Sequence, residues 1–70
     1  MKIKMGDKFI NNKTNKEIVI VDITFSTLIG DCYYLYEIVD DVYNDRYCLT
    51  YKEIMDCYTP KVKDDKVSEW

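Results

Sequence analysis

The sequence predicts a mainly β domain: a small closed barrel, or a curled antiparallel sheet of four to five strands with one short helical turn. Three observations carry that expectation. β-Branched and aromatic residues gather in short runs, the longest being "EIVIVDITF" at residues 17–25. Between the runs stand clusters of the residue types that reverse a chain, "NNKTN" at 11–15, "STLIGD" at 26–31 and "DDVYND" at 40–45. The length of 70 residues allows one thin domain, because a chain of this size buries only about 60% of the surface it exposes when unfolded.

The elements follow in order. Gly6 and Asp7 form a turn feeding a first strand, Lys8 to Ile10, and "NNKTN" makes a polar hairpin connection because Asn tolerates left-handed and turn conformations. In the second strand, 17–25, the odd positions Val19, Val21, Ile23 and Phe25 make a continuous apolar face. The even positions run Ile18, Ile20, Asp22, Thr24 and become polar, so the strand is expected to be covered on the odd side throughout and on the even side only at its start. Gly30 gives the next loop the backbone freedom of a tight turn. The third strand is Cys32 to Val39, and its alternation sends Cys32, Tyr34, Tyr36 and Ile38 to one side and Tyr33, Leu35, Glu37 and Val39 to the other. Only the second set carries a charge in mid-strand, so the first set is expected inside. After the 40–45 hairpin, Arg46 to Leu49 form a fourth strand. Thr50 with Glu53 three residues on matches a capping box, which starts a helical turn over 51–56. Tyr58 to Val62 closes as a short strand confined to an edge by Pro60. Residues 1–62 are thus one domain, and 63–70 a polar tail.

"GDKF" opening the first strand, "IVIVDI" in the second and "LTYKEI" as the turn before the last resemble the small SH3-like β-barrels over roughly residues 6–62. That resemblance implies a closed barrel that hides its strand edges. An open curled sheet with one helix against it is the other form, and an OB-like barrel needs a longer chain.

Composition excludes several function classes. Residues 1–16 carry Lys2, Lys4, Lys8, Lys13 and Lys16 against Asp7, while residues 17–60 carry nine acids against Arg46 and Lys52; the whole chain is at −3. The acidic body repels a phosphate backbone, which makes nucleic acid an unfavoured partner and a basic protein surface a favoured one. There is no histidine, so the usual general base near neutral pH is absent and a cysteine nucleophile lacks its customary partner. Gly6 and Gly30 are isolated, so no phosphate-cradling loop forms, and no calcium loop is present. A non-enzyme without cofactor is expected. No apolar run approaches the 18 or so residues that span a bilayer, and "MKIKMGDKF" lacks the apolar stretch of a secretory signal, so the expected location is cytoplasmic, away from membranes.

Cys32, Cys48 and Cys57 contain no C-x-x-C pair. They are expected as small buried hydrophobes, with a three-thiolate zinc site, completed by Asp56 or another subunit, as the alternative. Seven tyrosines against two phenylalanines is the compositional oddity, since a buried tyrosine hydroxyl needs a hydrogen-bond partner and the residue is favoured at interfaces. Tyr33, Tyr43, Tyr47 and Tyr51, flanked by Asp40, Asp41 and Asp45, are the candidate partner-binding residues, because rings ringed by carboxylates suit lysine or arginine.

The small, acidic, Tyr/Asn/Lys/Ile/Asp-rich chain resembles the small proteins of phages and mobile elements of low-GC bacteria, such as the anti-CRISPR proteins. That resemblance implies a stoichiometric inhibitor occluding a basic surface of a nucleic-acid-handling complex. The alternative is a single-stranded nucleic-acid binder in which tyrosines stack bases and Lys8, Lys13, Lys16 and Arg46 meet phosphate.

Overall fold

The computed structural model describes residues 2–43 and 45–61. Five antiparallel strands form one sheet: β1 (Lys8–Asn11), β2 (Glu17–Ser26), β3 (Asp31–Ile38), β4 (Arg46–Thr50) and β5 (Tyr58–Pro60), in the spatial order β4-β3-β2-β1-β5. One helix, α1 (Tyr51–Cys57), joins β4 to β5. The expected 63–70 tail and Val62 lie outside the described residues. No helix among the described residues is long and apolar enough to cross a membrane.

Each reversal has a local cause. In the β1–β2 hairpin the Asn11 side-chain oxygen accepts from the backbone N–H groups of Lys13 at 2.8 Å and Thr14 at 3.1 Å, and Asn15 turns the chain at φ +65°. Gly30, at φ +67°, closes the β2–β3 turn by donating to the Ser26 carbonyl at 2.9 Å. At the start of α1 both halves of the capping box are present. Thr50 Oγ1 accepts from the Glu53 N–H at 3.2 Å, and Glu53 Oε1 accepts from the Thr50 N–H at 2.9 Å.

The sheet curls without closing. In a flat sheet β3 and β5, three strand spacings apart, would be roughly 14 Å from each other. Yet the rings of Tyr36 on β3 and Tyr58 on β5 lie 6.3 Å apart. The helix packs against β3, β4 and β5, so it touches both edge strands. Of the two forms the sequence allows, the open curled sheet is the one adopted. With only three residues and a proline, β5 is too short to complete the ladder to β4.

The core lies on the concave face: Ile3, Phe9, Ile18, Ile20, Tyr34, Ile54 and Tyr58 are buried, with Ile23, Cys32, Tyr36, Ile38, Leu49 and Tyr51 packed against them. The inner set expected for β3 is the one found. For β2 the expectation is corrected in part. Ile18 and Ile20, at the start of the even face, are buried as expected, but the odd face is not covered throughout: Val19 and Val21 are only half-buried and Phe25 is 62% exposed. The β2–β3 register runs Ile18↔Ile38 and Ile20↔Tyr36, then resumes at Asp22↔Leu35 and Ile23↔Tyr34. Val21 is therefore an extra residue, and a β-bulge there switches the phase of the strand. The odd positions after it, Ile23 and Phe25, share the concave side with Ile18 and Ile20. Phe25 lies on the part of β2 that α1 does not reach.

Candidate functional site

The loop between β3 and β4 brings together Asp40, Asp41, Val42, Tyr43 and Asp45. Asp40 adopts φ +76°, a left-handed conformation that Asp tolerates better than most residues, and the Asp41 N–H donates to the Ile38 carbonyl at 3.1 Å. This tight start leaves Val42 81% and Tyr43 78% exposed. None of the ion pairs among the described residues uses Asp40, Asp41 or Asp45; the acids paired are Glu17, Glu37 and Asp56. At the base of the loop a cleft of about 450 Å³ is lined by Lys16, Glu17, Asp40 and Asp41 together with Ile10 and Ile38. The Val39 N–H, donating to the Glu17 carbonyl at 2.9 Å, ties the two sides of this cleft.

Tyr47 continues the same end of the molecule. It stands directly opposite Tyr36 across the β3–β4 ladder, ring centroids 5.4 Å apart, and is 42% exposed. Tyr33 and Tyr51 are elsewhere. Tyr33 is paired with Thr24 and Thr50, on the convex face, five residues from the loop end of β3 and so roughly 17 Å along the strand. Tyr51 opens α1 with its ring 6.4 Å from Tyr34 and packs against the core. The seven candidate residues therefore form one cluster of five at the loop end, with two tyrosines outside it.

The remaining tyrosines line the interior. Burial is the main cause that raises the phenols of Tyr34 and Tyr36 above the ordinary tyrosine value; for Tyr36 hydrogen bonding with Tyr58 adds to it. Among the described residues no buried side-chain nitrogen or oxygen lacks a partner, so the interior phenols are compatible with their setting.

The cysteines depart from expectation. Cys32 is half-buried against the core, but Cys48 and Cys57 are exposed. Cys48 sits opposite Leu35 on the convex face of an edge strand, and Cys57 ends the helix facing solvent. Cys32 and Cys48 thus occupy opposite faces of the sheet, which removes the zinc site through Cys32, Cys48 and Cys57. No group of three possible ligands gathers among the described residues. The basic side chains are also partly committed: Lys8 meets Glu17 at 3.7 Å and Arg46 meets Glu37 at 3.0 Å.

Two features were not anticipated. The β2–β3 tip exposes Phe25, Leu28 at 94% and Ile29 at 43%. An apolar Leu-Ile pair inside an otherwise polar turn is the signal that marks it. A groove of about 560 Å³ follows the unsealed side of the curl, between Leu49, Cys57 and Glu53 on one wall and Asn11, Asn12 and Lys13 on the other. It depends on the curl and has no sequence signal. Comparison with protein-family models, curated proteins and solved structures finds no match to this chain.

Proposed function

We propose that the protein is a non-catalytic binding module that docks on a basic protein surface through the β3–β4 loop and Tyr47. The observation that carries this is the pairing of two solvent-exposed apolar side chains, Val42 and Tyr43, with three carboxylates that form no ion pair among the described residues. An exposed ring offers apolar area that a partner can bury, and the flanking Asp40, Asp41 and Asp45 favour lysine and arginine through charge-assisted hydrogen bonds. On a nucleic-acid-handling protein these carboxylates would stand where phosphates bind, which is the inhibitory mode implied by the resemblance to small phage and mobile-element proteins.

The test is affinity purification from a low-GC bacterial host with wild type and with Asp40→Asn/Asp41→Asn/Asp45→Asn. Asn removes the charge while retaining the left-handed tolerance that position 40 requires. A basic partner recovered by wild type and reduced at least tenfold with the variant, at unchanged circular dichroism, is expected. Undiminished recovery refutes the docking loop. A single-stranded oligonucleotide bound at low salt and released steeply as salt rises would replace this function with base stacking.

A further inference from the structure

The two edges of the sheet differ. β5 is three residues long and ends at Pro60, two of the devices by which edge strands avoid pairing. β4 is five residues long, with sequence RYCLT; it contains no proline, no lysine and no bulge. Arg46, Tyr47 and Cys48 are exposed in succession. Apart from its ladder to β3, residues 46–49 make no backbone hydrogen bond among the described residues.

We infer that β4 is a self-association edge, at which a second copy of this chain pairs antiparallel about a two-fold axis through Cys48. The occupant follows from the symmetry of the strand. Tyr47 and Leu49 flank Cys48 and both face the concave side, opposite Tyr36 and Tyr34 respectively. Antiparallel pairing about Cys48 sets Tyr47 of each copy against Leu49 of the other, two aromatic–aliphatic cross-strand pairs of the stabilising kind. Arg46 falls opposite Thr50, so no like charges meet across the new ladder. Cys48 meets its own counterpart. Directly opposed residues in antiparallel strands have Cα atoms roughly 4.5–5.5 Å apart, within the roughly 4.4–6.8 Å that a disulfide spans. The result is a continuous ten-stranded sheet across two protomers, twice the five strands of one.

A contact confined to one strand is small, and each copy carries −3, so association is weak and strengthens when salt screens the repulsion. Sedimentation equilibrium from about 10 µM to about 2 mM brackets the roughly 10 µM to 1 mM dissociation constants such an interface supports. The expected mass rises from one chain of 8.4 kDa towards two, more readily at high salt. Cys48→Lys, a change at an exposed position, keeps the single-chain mass throughout. Diamide, which takes up the two electrons and two protons released as two thiols become one disulfide, gives a covalent dimer with wild type and Cys57→Ser but at least fivefold less with Cys48→Ser. A single-chain mass at every concentration, or equal loss of crosslink with Cys57→Ser and Cys48→Ser, overturns the inference. The triple Asp→Asn variant takes the −3 of each copy to zero, so it still dimerises, at least as readily as wild type and with little salt dependence, while losing the basic partner; failure of the edge and failure of the docking loop are thus read separately.

Discussion

Replacing Ile54 and Phe25 by alanine tests how the core is built. Ile54 is the one buried residue of α1 and is 0% exposed, whereas Phe25 is 62% exposed. Ile54→Ala deletes three buried carbons, worth roughly 2.4 kcal/mol by transfer, and the cavity left beneath the helix raises the loss to about 3 kcal/mol. A domain of 70 residues has a total stability of roughly 4–10 kcal/mol, so this single change removes a large share of it. Phe25→Ala deletes more atoms but, being mostly solvated already, loses about 1 kcal/mol. Urea unfolding followed by circular dichroism measures both. With a slope of roughly 1 kcal/mol/M the midpoints fall by about 3 M and about 1 M respectively. Equal losses, or a larger one at Phe25, would show that the core extends along the outer part of β2 and is not centred beneath α1.

Two further outcomes are expected. Thr50→Ala opens the capping box and lowers stability by about 1 kcal/mol, with Glu53→Ala giving a similar loss and the double variant less than the sum; additive losses in the same urea assay refute reciprocal capping. Raising pH weakens the fold, because the phenols of Tyr34 and Tyr36 are held above their ordinary value of 10.0 and the folded state therefore keeps protons that the unfolded chain gives up. Their contribution is complete below about pH 10 and fades as pH rises beyond it. Absorbance at 295 nm should show a fraction of the tyrosines ionising only together with loss of ellipticity; one simple phase with the fold intact argues against the tyrosine-lined interior.

Much of this architecture was legible in the chain. Asn and Gly at the reversals, the Thr50/Glu53 pair and the start of the Pro60 edge strand each act through their own backbone and lie where expected, although that strand ends at Pro60 and leaves out Lys61. The inner set of β3 was also readable, since Glu37 marks the solvent side. What strand alternation did not reveal was non-local. The bulge at Val21 obeys no pattern visible in "IVIVDI", because either parity offers apolar residues to the core. The exposure of Cys48 and Cys57 depends on which face and which edge they occupy, and curl decides that. For the candidate site, Asp40 to Asp45, Tyr43 and Tyr47 share one end because they are neighbours in sequence. Alternation along β3 puts Tyr33 outside, as found, but does not say how far along the strand it lies from the loop; the register sends it, with Tyr51 next to its partner Thr50, to the far end.

The inserted residue in β2 has a further consequence for how the molecule can vary. Upstream of it, Ile18 and Ile20 answer to the packing of Phe9, Ile54 and Tyr58. Downstream, the hairpin bearing Phe25, Leu28 and Ile29 answers to solvent or to whatever it meets. A phase break at this boundary uncouples the two stretches. Ile23, just past the break, still packs on the centre, so it is substitutions from Phe25 outward that can alter the arm's stickiness without disturbing the hydrophobic core.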